Sequence, residues 1–352
     1  MRKIGAIAVL VLLFQPMDLA GDSMSSLPQI ARWYDNRQAA VSFRFDDSLD
    51  SHVKVAIPVL DEYGYKGTFM VNPETRRFQR NRDFWVEEVP KSGHLLGNHT
   101  MHHRGARDIE EAHYEIGEPA RMIRDLYPHR SKLMVFASGG GEKWGGKFWE
   151  RADPLFKDIP RQYHLIDLYD GNHPAVTANS NGSEGSLLSH VDRAIENRSH
   201  QPFVFHNVGH VSVKDRIKSL INGYNLSFPE TAFRRFLDHV KAREESLWIA
   251  PLVDVLKYEN EFKSSRLETT VQEGIITSRL TVDTDPELYD QKLTLILPVK
   301  GGTEPPEVYQ DGFRVQDVTS VNGLLVANVL PVSGEVTFVD AGRTPTMESA
   351  AP

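Results

Sequence analysis

Adjacent carboxylates at Asp46 and Asp47 and paired imidazoles at His99 and His103 are the groups in this sequence best suited to chemistry. The acids close the run Val41-Ser42-Phe43-Arg44-Phe45, whose β-branched and aromatic residues predict a buried strand. Two carboxylates side by side repel each other, so the pair is stable only beside a cation or strong hydrogen-bond donors. In His99-Thr100-Met101-His102-His103 the outer histidines stand four apart, and on a helical turn that spacing puts both rings on one face. One carboxylate with two histidines gives three ligands and leaves room for water, the composition of a hydrolytic zinc centre. Each piece alone has a blander meaning. An acid pair at a strand end is commonly a turn or a helix cap, and HxxxH is commonly an exposed helix face.

The elements that would hold these residues alternate between strand and helix patterns from Ala39 onward. The strand ending at Asp47 is followed by a helix over Ser51 to Tyr63 that Gly64 closes, then strands over Gly67 to Asn72 and His94 to His99. A long amphipathic helix covers Asp108 to Leu126, and strands follow over Lys132 to Ala137 and Tyr163 to Leu168. A helix over Ser186 to Arg198, a strand over Gln201 to His206, a helix near Pro229 to Ala242 and a strand over Leu247 to Leu252 complete the series. Repeated βα units predict a mostly parallel barrel or sheet whose site lies at the carboxyl ends of the strands. Asp46, Asp47, His99 and His206 all fall at or just past such ends. After Tyr258 to Ser265 the pattern changes to short alternating runs broken by Gly and Pro, as in Leu293 to Val299 and Gly334 to Val339. That is the signature of a small all-β, sandwich-like domain over 266–342. A catalytic domain over 39–262, a linker or cap over 21–38 and a disordered tail over 343–352 complete the expected layout.

The 352 residues suffice for a full α/β domain and a smaller second one, with 40% hydrophobic and 25% charged residues. The formal net charge of −8 and the lack of long basic runs argue against nucleic-acid binding. The one basic cluster, Arg76 to Arg82, is a candidate contact for an anionic polymer, though such a run is more often a solvated loop. Arg2 and Lys3 precede an apolar run from Ile4 to Phe14, too short for a comfortable membrane span, and small residues follow at Ala20 and Gly21. This predicts a signal peptide over 1–20, a bacterial periplasmic or secreted location, and no stable membrane insertion after cleavage. With no cysteine, disulfides and thiolate ligands are excluded.

Together these residues make the region from about 39 to 262 resemble the polysaccharide deacetylases, carbohydrate esterase family 4. The family's T-F-D-D-G motif stands here as Arg44-Phe45-Asp46-Asp47-Ser48, and its H-[ST]-x-x-H motif is matched in full by His99 to His103. Val204-Phe205-His206 takes the place of its late strand ending in histidine. The resemblance implies a distorted (β/α) barrel and one divalent metal, usually zinc, held by Asp47, His99 and His103. It also implies Asp46 as general base and His206 as general acid, with an acetylated polysaccharide or oligosaccharide as substrate. Where relatives carry R-P-P-Y, whose arginine steadies the base, this chain has Phe136-Ala137-Ser138-Gly139-Gly140-Gly141. Arg44 is then the candidate to orient Asp46, and a backbone N–H near Gly140 the candidate oxyanion donor. His210 is a rival acid, and Trp144 and Trp149 are candidate sugar platforms. Export and a β-module favour a polymer substrate. The alternatives are a glycan-binding protein on a degenerate deacetylase domain and a C–N hydrolase acting on a small amide.

Overall fold

The computed structural model describes residues 27–178, 184–209, 227–272, 275–299 and 304–340. The proposed signal peptide, the C-terminal tail and His210 lie outside the described residues. The chain opens with a short strand, β1 (Gln29–Ile30), and enters the main sheet at β2 (Ala39–Asp46). All eight residues of β2 are buried, yet they alternate in kind: Ala39, Val41, Phe43 and Phe45 share one face, and Ala40, Ser42, Arg44 and Asp46 the other. Strands β3 (Thr68–Val71), β4 (Leu95–Asn98), β5 (Met134–Phe136), β6 (Leu165–Asp167), β7 (Val176–Thr177), β8 (His200–Phe205) and β9 (Leu247–Ile249) complete one parallel sheet. Its order is β6-β5-β4-β3-β2-β8-β7, with β9 pairing the start of β2. The sheet curls into a half-barrel with helices packed outside it. Phe45 stacks between Phe69 and Phe205, with ring centroids 4.8 and 5.3 Å apart, so a rigid aromatic layer lies under the carboxyl end of β2.

The helix after β2 begins as a π-turn over His52–Ala56 and continues as α1 (Ile57–Tyr63), closed by Gly64 at φ 76. The long helix is α2 (Ile109–Leu126), capped by Asp108, whose side chain accepts from the Glu111 N–H at 2.9 Å. Among the described residues no helix is long and apolar enough to cross a membrane.

Beyond the half-barrel lie two antiparallel sheets, one of four strands and one of five. Their facing side chains, among them Leu280, Leu293, Leu295, Val308, Leu325, Val336 and Phe338, form a second core. The N-terminal stretch expected to be a linker or cap packs on this region. β1 pairs with the strand Leu293–Pro298, and Trp33 is fully buried against the second core. A strand of two residues carries no periodicity to announce it, which is why the pattern read as a linker. The boundary is also tighter than the composition implies. The helix Leu252–Lys263 sends Val255 and Tyr258 into the β core and Leu252, Val253 and Leu256 against the parallel sheet, and the Tyr258 hydroxyl donates to the Ala31 carbonyl at 2.8 Å.

Burial of histidines inside this fold predicts acid sensitivity. Burial pushes His52, His94 and His200 down from 6.5 to about 4. The folded chain therefore binds fewer protons than the unfolded one between these values. The stability they contribute is fully present above about pH 6.5 and is lost as the pH falls toward 4, by up to about 1.4 kcal/mol per pH unit for each histidine. Urea unfolding of chelated protein at several pH values should show this slope; a midpoint unchanged between about pH 7 and pH 5 would contradict it.

Candidate active site

At the carboxyl end of β2 the backbone turns sharply through left-handed conformations at Asp47 (φ 82) and Ser48 (φ 52). Such turns usually call for glycine, and a serine holds this one because its hydroxyl accepts from the Asn72 N–H at 2.9 Å. Asn72, just past β3, also donates through its side-chain amide to the carbonyls of His99 and Thr100. The turn after β2 is thereby tied to the loop that carries the histidines.

His99 and His103 do converge, though not on a helical turn. They sit in the loop after β4, with Thr100 at φ 66 and His103 at φ 58. Asn98 and Glu115 brace the loop: the Asn98 side chain accepts from the Thr100 N–H at 3.0 Å, and the fully buried Glu115 accepts from the His102 N–H at 2.9 Å. Tertiary anchoring thus replaces the helical spacing as the reason the rings meet. The His99 and His103 Nε2 atoms lie 3.3 and 3.1 Å from Asp47 Oδ1, and the two rings stand 5.0 Å apart at 83°. Among the described residues Asp47, His99 and His103 are the one group of three or more such side chains placed to hold a metal ion.

The donor set fits a zinc-like ion on three observations. His99 Nδ1 lies 2.8 Å from the Ala137 carbonyl, which can only accept, so Nδ1 carries the proton and Nε2 presents its lone pair toward Asp47. Asp47 Oδ1 is buried and has no hydrogen-bond partner, although both imidazoles face it. Ligand atoms each about 2.0–2.1 Å from a tetrahedral ion stand roughly 3.3 Å apart, close to the separations found here. Burial alone would raise the Asp47 carboxyl, but contacts from His103 and His99 outweigh it and hold the group well below the ordinary carboxylate range. The Asp47 contact pushes His103 up to about 9, so without a cation His103 holds a proton that metal binding would release.

Asp46 is buried beside this group. Arg44, two residues earlier and therefore on the same strand face, forks onto it with Nε–Oδ1 at 2.7 Å and Nη2–Oδ2 at 2.6 Å. Burial would raise the Asp46 carboxyl; the Arg44 guanidinium, helped by His99 and His206, outweighs burial and keeps the group ionised. Arg44 thus orients the acid from the strand itself, without an arginine from the glycine loop. Its Nη2 also meets the Tyr169 hydroxyl at 3.3 Å. His206 lines the same cavity; burial pushes its pKa down, and its Nδ1 has no hydrogen-bond partner.

These residues line one end of a cavity of about 670 Å³, whose other walls include Gly140, Gly141, Glu150, Tyr169 and His173. Gly140 brings backbone to the wall. Trp144 is not a sugar platform: it is fully buried, packed edge-on against Trp149 and Phe156 with centroids 4.9 and 6.2 Å away. Trp149 is buried as well, donating to Asp167 at 2.9 Å. The sequence reading missed Tyr169 and Glu142. Glu142 is buried and accepts from the Thr100 hydroxyl at 2.9 Å, with Oε1 3.9 Å from His103 Nδ1; burial pushes its carboxyl up. A lone acid inside a glycine run gave no signal of this.

Gly139 makes room for His103. A Cβ there would lie 2.3 Å from His103 Nε2 and 2.8 Å from Glu142 Oε1. Gly139→Ala should displace the ring and weaken zinc binding by about 10- to 100-fold, as losses of supporting contacts do. A zinc titration against a competing chelator checks this, and unchanged affinity would contradict the packing argument.

The parallel half-barrel thus gathers two aspartates and three histidines at its strand ends, groups able to hold a divalent ion and to take and give protons. Residues 34–152 match the family model described as polysaccharide deacetylase. No curated protein matches the sequence. Among solved structures, the chain is similar to the family 4 carbohydrate esterase from Streptomyces lividans in complex with acetate, with 14% identity over 62% of this chain and 94% of that one and a TM-score of 0.40. The catalytic domain of the peptidoglycan N-acetylglucosamine deacetylase from Eubacterium rectale shows 17% identity over 64% and 92%, with a TM-score of 0.41. A CE4 family pseudoenzyme from Bacillus anthracis shows 15% identity over 63% and 66%, with a TM-score of 0.39.

Proposed function

We propose that this protein is an exported, metal-dependent deacetylase that removes N- or O-linked acetyl groups from a carbohydrate polymer. The observation that carries the reading is the pair of assemblies at one cavity end: Asp47, His99 and His103 around a shared point, and Asp46 held ionised by Arg44. Zinc held by Asp47, His99 and His103 would supply a Lewis acid and a water acidic enough to deprotonate near neutral pH. Asp46, kept as a carboxylate by Arg44, accepts the proton of the attacking water. The wall at Gly140 can turn a backbone N–H toward the acetyl oxygen as negative charge develops there. His206, in its protonated form, gives its proton to the departing amine or alkoxide as the bond to the acetyl carbon breaks and is left neutral, with acetate and a free amino or hydroxyl group as products. Arg44 acts through the base it grips. Export rests on the charged and apolar pattern of residues 2–21.

The test is acetate release from chitin oligomers, peptidoglycan fragments, acetyl-xylan and acetylated uronic-acid polymers. The wild type should release acetate from one class, and Asp46→Asn should bind zinc normally yet lose about 10²- to 10⁴-fold in kcat. Glycan binding without release from any class, by zinc-loaded protein, would instead mark a binding protein.

A further inference from the structure

Two segments border the zinc-ligand cluster, and both are basic although the chain is acidic. The first, residues 73–83, includes the short helix Arg76–Arg80; the second, residues 139–151, supplies Gly140, Gly141 and Glu150 to the cavity wall. Together they hold seven Lys or Arg against four Asp or Glu, in a chain of 40 against 48. One of the four acids, Glu142, is buried. Arg77 reaches the site itself, with Nη1 3.6 Å from Asp47 Oδ2. Arg80 is paired with Asp50 and Arg82 stands 3.9 Å from Asp83. Arg76, Lys147 and Arg151 are exposed and make no ion pair among the described residues, and Lys143 has its ammonium over the Phe148 ring. Glu74 faces His102 at 3.4 Å, and Glu150 is the one wall carboxylate outside the acid pair.

Arg77 against Asp47 ties the first segment to the site, and Gly140, Gly141 and Glu150 tie the second to the cavity wall, so the net positive charge of the two segments gives the surroundings of the cavity a field that concentrates anions. Resting on the deacetylase reading, we infer that the substrate is an anionic acetylated glycan, whose carboxylate, sulfate or phosphate groups lie on Arg76 and Lys147 while an acetyl group enters the cavity. Because these contacts are exposed, they act on capture rather than on the chemical step, and salt screens them.

The experiment compares kcat/KM of the zinc-loaded full chain on an O-acetylated polyuronate, a phosphate-bearing acetylated glycan and a neutral acetylated chito-oligomer. On the anionic polymer it should fall about tenfold as ionic strength rises from about 0.02 M to about 0.5 M, and hardly change on the neutral one. Arg76→Glu with Lys147→Glu should lower it about tenfold on the anionic polymer at low salt, chiefly through KM, and leave the neutral substrate unaffected. The polyuronate and phosphate arms decide which anion is taken. Salt-independent turnover with the neutral glycan preferred would overturn the inference while leaving the deacetylase intact. Release from acetyl-xylan but from none of the three would overturn the inference alone, and release from no acetylated glycan would overturn both.

Discussion

His99→Ala is expected to remove the bound metal and, with it, measurable acetate release. Of the three ligand side chains His99 is the most fixed: it is buried, and its Nδ1–H is committed to the Ala137 carbonyl, so its Nε2 cannot turn away from Asp47. Alanine leaves only Asp47 and His103, and a two-ligand site loses the tetrahedral closure that makes zinc binding tight. Metal content after dialysis should fall from about one zinc per chain to background. The fold should survive, because the loop keeps its anchors at Asn72, Asn98 and Glu115. His206→Ala separates the roles, since it should keep the zinc and lose rate. Stoichiometric zinc in a His99→Ala, His103→Ala double variant would remove the ligand assignment.

Arg44→Met should have the largest effect on stability. Arg44 and Asp46 are both nearly inaccessible, and removing one partner of a buried pair costs about 3–5 kcal/mol because the other charge is stranded. Burial would then push the Asp46 carboxyl upward, and the acid limb of the rate profile would move to higher pH. The sign of the stability effect follows. In the wild type Asp46 titrates below its unfolded value, so its contribution is present above about pH 4 and is lost as the pH falls through the lowered folded value. A double variant, Arg44→Met with Asp46→Asn, should recover much of the stability without recovering activity. Arg44→Lys keeps the charge but not the fork and should fall between. Additive stability losses in the double variant would show that the two groups are not coupled.

Asp47, His99 and His103 were legible as a candidate ligand set because their residue types and order are chemically restrictive, and the structure brings the three together. Arg44 was half legible: a spacing of two on a strand puts it on the face of Asp46, but the fork distance depends on how β2 is packed from both sides. The two histidines converge for a reason the spacing did not give, since left-handed turns at Thr100 and His103 are held by partners distant in the chain. Trp144 misled because a tryptophan beside glycines suggests an open loop, whereas here the glycines let the chain turn the indole into the core. Glu142 and Tyr169 stayed hidden because each gains meaning only from a side chain that folding brings to it.

The measurement that tests the central claim most directly is acetate release from an acetylated glycan by chelated protein as zinc is returned. The account predicts no release without metal, recovery that saturates at one zinc per chain, and no recovery in His99→Ala at the same zinc. Undiminished release by metal-free protein, or full recovery in His99→Ala, would contradict it.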